Sequence, residues 1–331
     1  MSTTPPYTPI TLTTKPTAQL IYSYHPPSPP TATSTSTPTL ITFINGLGLP
    51  QNSWTPLITE LQSHPPATGL PALLTYDRYA QGLSTDRDPT DLTTESHSHD
   101  CLSVVHDLYQ LLTQIVSQHL HTSLSEVQLI LVSNSIGGAI SRLFAQHYPG
   151  LVAGMMFLDS VLAGSDFVGI YPDPDLPGFR AEDLPGGVTV TALRHTRAFM
   201  RKVFHPETGI MGQAEGFSRR NLPTLLPHRD SPKVVGPRGK GPWVTVIGHD
   251  FEKFEEEFEG MGGGERVLTR EYLNPYWEGY NRGLVRITEV GRGRGPIRAP
   301  GAGHFVQRDN PDFVAGEVRG LVERVVLDGM E

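Results

Sequence analysis

The chain has a single cysteine, Cys101, among its 331 residues. That excludes an internal disulfide framework and suits a reducing compartment. Positive charge is scarce as well: 26 Lys and Arg against 34 Asp and Glu leave a formal charge of −8. Such a balance argues against a broad phosphate-binding surface, and no nucleic-acid partner is expected. No apolar run approaches the roughly 18 residues that a membrane span needs, so no membrane partner is expected either. The opening "MSTTPPYTPITLTTKP" lacks a basic stretch followed by an apolar one, so a secretory signal is not expected and a cytoplasmic location is. A P-loop and a strand–GxGxxG–helix fingerprint are both missing, and with them any reason to expect a nucleotide cofactor. The histidines of "SHSHD" (96–100) have no third ligand nearby, so no metal is expected. The basic "GRGRGPIR" (291–298) reads as a solvated turn in an acidic protein rather than an RNA contact.

What is present is an alternation. Short apolar runs occur at "LITFI" (40–44), "ALLTY" (72–76), "QLILVS" (128–133), "AGMMFL" (153–158) and "WVTVI" (243–247). They are nearly continuous and bounded by Gly, Asp or Pro, as strands covered on both faces of a parallel sheet must be. Between them lie amphipathic stretches such as 103–120, with Val104, Leu108, Leu111, Leu112, Ile115 and Val116 on one stripe. A terminal helix is capped by Asn310 and opened by Pro311. Strands alternating with helices predict an α/β fold around a mostly parallel sheet.

Two regions break the rhythm. Residues 1–17 read as a loose N-terminal tail and 25–39 as a flexible connection, around a short strand at Gln19–Tyr24. Residues 160–241 are far longer than a parallel crossover requires. They carry one clear helical piece (191–204), so they read as a cap inserted into a core of 18–159 and 242–331. Aromatic residues of this insertion, Phe167, Phe199 and Phe204 among them, are candidates to line a pocket.

The chemistry gathers at the strand ends. "LILVSNSIGGAI" (129–140) runs a buried strand through a small, polar corner into a helix. At a nucleophile elbow the backbone is strained and the neighbours two positions away must be small. Ser133 and Gly137 meet that demand around Ser135, although the first glycine of G-x-S-x-G is absent. "FINGLGLPQNSW" (43–54) follows an earlier strand and offers a glycine-rich turn whose amides, around Gly46, could bind an oxyanion. His304 sits in a Gly/Pro loop just before the terminal helix. Two carboxylates compete to partner it: Asp159 ends the strand "MMFLDS", and Asp250 follows "WVTVIGHD", where it also suits a helix N-cap. Asp159, one crossover after Ser135, is favoured narrowly. Either choice preserves the order Ser, acid, His.

Together these stretches resemble the α/β-hydrolase superfamily from about residue 18 onward, and more narrowly uncharacterised fungal members of it. "NGLGLPQNSW" is similar to the H-G-x-G…W oxyanion turn, with Asn45 in place of the histidine. "YDRYAQGLS" is similar to Y-D-x-R-G-x-G-x-S, with Ala80 in place of a glycine. "GAGHFVQRDNPDFV" is similar to the superfamily's ending around its catalytic histidine. The resemblance implies an α/β-hydrolase fold with an inserted cap, and the amides of Leu47 and Ile136 as the oxyanion hole. It also implies a Ser135–acid–His304 triad acting without a cofactor on an ester, lactone or related acyl bond of a small, partly apolar substrate. The same triad could serve acyl transfer, lyase or cyclisation chemistry, and an idle small-molecule receptor is a further alternative. A serine nucleophile disfavours epoxide opening through an alkyl-enzyme ester. Neither the substrate nor the oligomeric state is legible.

Overall fold

A computed structural model describes residues 6–28, 37–91 and 99–330. Its centre is an eight-stranded sheet formed by β1 (Thr8–Thr11), β2 (Gln19–His25), β3 (Thr39–Ile44), β4 (Ala72–Asp77), β5 (Gln128–Asn134), β6 (Val152–Leu158), β7 (Trp243–Gly248) and β8 (Gly293–Arg298). The spatial order is β1-β2-β4-β3-β5-β6-β7-β8, antiparallel at β1–β2 and β2–β4 and parallel from there on. The β3, β4, β5 and β6 runs are buried almost throughout, which is why they read as continuous apolar stretches rather than alternating ones.

Helices cover both faces. On one side α1 (Thr55–Ser63) and α7 (Pro311–Gly329) close a core of Ile41, Phe43, Leu57, Leu61, Val318 and Leu321. On the other, α2 (Cys101–Ile115) and α3 (Ile136–His147) pack over Leu40, Leu129, Leu131 and Met155. Asn310 Oδ1 accepts from the Phe313 amide at 3.2 Å, so α7 begins with the cap and proline that its sequence announced. Among the described residues no helix is long and apolar enough to cross a membrane.

Two local expectations are corrected. Within the tail assigned to 1–17, Thr8–Thr11 pairs antiparallel with β2, Leu12 is fully buried, and Lys15 Nζ reaches Asp88 and Asp107 at 2.5 and 2.6 Å. The basic segment 291–298 is not a solvated turn along its length, because Gly293–Arg298 forms the sheet's far edge beside β7. Both are edge strands, paired on one side and wet on the other, so neither needs the apolar signature that marks a central strand. Most of the 25–39 connection lies outside the described residues, as does His97 of "SHSHD". His99 of that stretch pairs with Asp91 at 2.9 Å, and Asp100 caps α2 through the Ser103 amide at 2.9 Å.

The segment after β6 carries α4 (Val190–Val203) over the carboxyl ends of the strands. The connection from β7 to β8 carries α5 (Phe251–Gly260) and α6 (Asn274–Leu284), which close the same end. Side chains from α4, α5 and α6 line one cavity there.

Candidate active site

Ser135 occupies the corner between β5 and α3 at φ 54°, ψ −121°, a conformation that a non-glycine residue holds only when its surroundings impose it. Here they do. The Ser135 amide donates to Leu158 O at 3.2 Å, and its carbonyl accepts from Gly138 and Val161, both at 3.0 Å. The glycines that follow answer to space: a Cβ on Gly137 would sit 2.3 Å from Ile44 O, and one on Gly138 would sit 2.3 Å from Ser160 Oγ. Ser133, standing where a glycine is usual, is fully buried and donates its hydroxyl to Met156 O at 2.9 Å. It is small enough for the corner and hydrogen-bonds to the next strand besides.

The two contested carboxylates separate cleanly. Asp159 is fully buried, and its Oδ2 lies 2.6 Å from His304 Nδ1. Asp250 instead accepts from the amides of Glu252 (3.1 Å), Lys253 (3.3 Å) and Gly301 (3.1 Å), opening α5 and tying down the loop that leads to His304. With Nδ1 donating to Asp159, His304 keeps Nε2 for chemistry. Ser135 and His304 line the same cavity, of ≈ 920 Å³ counting its open mouth. No hydrogen bond joins the two side chains among the described residues.

Asp159 has a second partner that the sequence did not single out. His249 Nδ1 lies 2.8 Å from Asp159 Oδ1, while its Nε2 lies 3.1 Å from Asn274 Oδ1. The Asn274 amide is oriented by its own donation to Glu255 Oε1 at 3.2 Å, and Glu255 pairs with Arg270 at 2.6 Å. Both nitrogens of His249 therefore face oxygens, an arrangement that favours the doubly protonated ring. His249 is buried, 2% exposed, and clamped between Phe254 (stacked at 4.1 Å) and Trp277. Burial works to raise the Asp159 carboxyl, but the His249 charge and the hydrogen bonds from both histidines outweigh it and hold it down at about 2. Burial likewise works to lower His249, and the adjoining carboxylate overrides it and raises it. Trp277 also donates Nε1 to Ser160 O at 2.9 Å and stands edge-on to the His304 ring at 5.6 Å.

The glycine turn is held from below by the stretch that looked like a third motif. Asn45 Nδ2 donates to Tyr76 O (2.8 Å) and Gln81 Oε1 (2.9 Å), and Asn45 Oδ1 accepts from Trp54 Nε1 at 2.7 Å. Arg78 donates to the carbonyls of Asn45 and Gly46, both at 2.8 Å, and Gln81 Nε2 adds 2.9 Å to Gly46 O. Ala80, in the place of a glycine, takes φ 56°. From the segment between β6 and β7, buried Glu215 meets Arg78 at 2.9 Å and the Gly48 amide at 2.6 Å. Gly46 abuts the Ser135 corner, where a Cβ would come within 3.3 Å of Ser135 Cβ. The Leu47 side chain reaches the cavity, and its amide makes no hydrogen bond among the described residues. Ile136 opens α3, so its amide has no acceptor within the helix.

Phe167 and Phe204 line the cavity, their rings 5.8 Å apart. Phe199 does not. It stands behind Phe204 at 5.9 Å and meets Phe258 edge-on at 5.6 Å, because its position on α4 turns it toward α5. Gly46 likewise serves the corner and is not among the lining residues. Sequence reasoning missed Met200, Met211, Phe254 and Trp277, which line the wall, because an apolar residue facing a cavity has the same periodicity as one facing a core.

The family model of the Alpha/beta hydrolase family matches residues 43–317. No protein with a curated description matches the chain. Solved structures do. The peroxisomal alpha-beta-hydrolase of Saccharomyces cerevisiae superposes with a TM-score of 0.57 at 13% identity, over 98% of this chain and 86% of that one. A soluble variant of monoglyceride lipase from the same yeast gives 0.55 at 14%, over 98% and 97%. An epoxide hydrolase from Vigna radiata gives 0.54 at 13%, over 96% and 98%. At such identities the likeness carries the fold.

Proposed function

The chain belongs to the alpha/beta hydrolase family, and from that premise we propose that it is a serine hydrolase of ester, lactone or related acyl bonds. The observation that carries this reading is the 2.6 Å contact between buried Asp159 and His304 Nδ1, on the wall of the cavity that holds the strained Ser135 corner. Asp159 keeps the imidazole in the tautomer whose Nε2 is a base. Substrate in the cavity brings Ser135 Oγ and His304 Nε2 to hydrogen-bond distance, as such pairs often tighten only in the complex. His304 Nε2 then takes the hydroxyl proton as Oγ attacks the carbonyl carbon. The amides of Leu47 and Ile136 bind the oxyanion. Collapse expels the alcohol, which leaves with the proton from His304. Water, deprotonated by the same nitrogen, adds to the acyl carbon, and the acid departs as Ser135 recovers its proton. Every step uses the chain's own groups.

Opening an epoxide through an alkyl-enzyme ester would need a carboxylate at the corner, where this chain has a hydroxyl. The insertion 160–241 acts as the cap over a small-molecule substrate, and the lone buried Cys101 suits a cytosolic enzyme. Ser135→Ala tests the reading. Turnover of p-nitrophenyl esters should fall by roughly 10⁴-fold or more, and labelling by a fluorophosphonate probe should disappear. Unaltered circular dichroism would show the fold retained. Wild-type turnover in that variant would remove Ser135 as nucleophile.

A further inference from the structure

Arg219 lies in the insertion, just past the two-residue strand Phe217–Ser218, and lines the cavity that Ser135 and His304 share. Its side chain is almost wholly enclosed, at 3% exposure. Nη2 donates to the carbonyls of Phe204 (3.1 Å) and His205 (3.4 Å), just past the C-terminal end of α4. Nε is buried with no acceptor at all. No carboxylate forms an ion pair with Arg219 among the described residues.

Two other arginines are buried. Arg78 meets Glu215 and two carbonyls, and Arg142, whose Nε is likewise unpartnered, spends both terminal nitrogens on Tyr280 Oη and the carbonyls of His228 and Ser231, away from this cavity. Arg219 alone of the three faces the catalytic cavity, with donors to spare. A desolvated guanidinium without a counter-charge is costly, and a carboxylate answers it with matched geometry. Burial lowers its pKa to about 10, so the group stays charged at neutral pH.

We infer that the substrate carries, away from the scissile bond, a single ionised carboxylate that Arg219 receives in an otherwise apolar cavity. Leu47, Phe167, Met200, Phe204 and Met211 line the same cavity, which suits an aliphatic or aromatic body on the substrate. Charge sets the class. Among the described residues Arg219 is the only arginine or lysine on that wall, so a monoanion is balanced, whereas a phosphate monoester would bring a second negative charge with nothing to meet it. The one acid on the wall among the described residues, Glu257, is met from outside by Lys253 at 3.8 Å and accepts from the His304 amide at 3.2 Å.

The inference rests on the serine-hydrolase reading of this cavity, and two measurements keep their fates apart. The first compares p-nitrophenyl hydrogen adipate with p-nitrophenyl hexanoate on the wild type and on Arg219→Gln. The wild type should favour the carboxylate ester in kcat/KM by roughly 10- to 100-fold, the range a charged hydrogen bond supplies, and the ratio should drop toward one in the variant. Turnover of both esters with no preference overturns the inference and leaves the hydrolase standing. The second needs no turnover: calorimetric binding of octanoate against octanamide to Ser135→Ala protein. Preference for octanoate by at least about tenfold, lost in the Ser135→Ala/Arg219→Gln protein, sustains the inference even if no ester is cleaved. Equal binding of acid and amide overturns it. Arg219→Lys, which keeps the charge and loses the fork, should retain part of the preference if Gln disturbs the end of α4.

Discussion

The two sides of the cavity are built on different principles. The floor, at the strand ends and the part of the β7–β8 connection that backs them, is fixed by hydrogen bonds whose polarity admits one arrangement: Arg270 donates to Glu255, Asn274 to Glu255, His249 to Asn274 and Asp159, and His304 to Asp159. The roof, from α4, the turns around it and the β7–β8 connection, is mostly packed side chains such as Phe167, Met200, Phe204 and Phe254. A hydrogen-bonded floor holds atoms to a fraction of an ångström, as bond-making demands. Packed side chains tolerate exchange of shape at modest cost. Rate should therefore depend on the floor and choice of substrate on the roof.

The sharpest way to break that contrast is to unseat the carboxylate that holds His304. Asp159→Asn should cut kcat/KM for a p-nitrophenyl ester by roughly 10⁴-fold. Asp250→Ala should leave the rate within a few-fold and cost about 1 kcal/mol of stability through the lost cap of α5. Steady-state kinetics and urea melts read both, and a large rate loss at Asp250 would move the acid there.

Roof and floor meet at Glu215, so its removal tests whether the two are independent. Glu215→Ala strands Arg78 as an uncompensated buried charge and frees the Gly48 amide, and should destabilise the protein by about 3–5 kcal/mol. Because Arg78 also holds the carbonyls of Asn45 and Gly46, kcat should fall with stability. A variant that melts early but turns over normally would detach the glycine turn from catalysis.

Within the roof, Phe204 and Phe199 form a matched pair, one on the wall and one behind it. Phe204→Leu should change the ratio of kcat/KM between short and long acyl esters by about tenfold, the scale of small shape changes in an apolar pocket. Phe199→Leu should leave that ratio alone and lower Tm slightly. Equal shifts from both would mean that the wall repacks as a unit.

The smallest expected effect is a pH dependence of stability originating in the floor. His249 is raised in the folded protein above its ordinary 6.5, so its contribution is fully present below that value and fades as pH rises through the folded one. Asp159 is held at about 2 against an ordinary 3.8, so its contribution is present above 3.8 and fades as pH falls toward 2. Between these limits the pair is fully stabilising. The charged groups around His249 are Asp159, with Glu255, Glu257 and Asp250 on the α5 side and Arg270 beyond Glu255, and the titratable His304 lies across Asp159. The Tm difference between wild type and His249→Gln should be widest near pH 5–6 and shrink above it. A difference flat from pH 5 to 9 would mean that His249 is neutral.

Much of this molecule was already present in its one-dimensional pattern. Continuous apolar runs at 40–44, 128–133 and 153–158 can be buried only on both faces, which dictates the parallel sheet. A strand meeting a helix through small residues dictates the corner at Ser135. A Gly/Pro loop before a capped helix places His304 at a strand end. These are local consequences of sterics and burial. What the sequence left open depends on where distant segments meet. Asp159 and Asp250 are both strand-end carboxylates, and only the tertiary structure brings one of them to His304, 145 residues away, while the other caps α5. The charged form of His249 is favoured because Asn274, oriented by Glu255, turns an oxygen toward it and Asp159 lies on its other side. Thr8–Thr11 and Gly293–Arg298 become strands because a neighbour supplies hydrogen bonds that their own composition does not call for. Phe204 faces the cavity and Phe199 backs it through the rotation of one helix against another. Backbone geometry and one-face burial act over a few residues and can be read along the chain, whereas charge pairing and cavity shape arise between segments and exist only once the chain has folded.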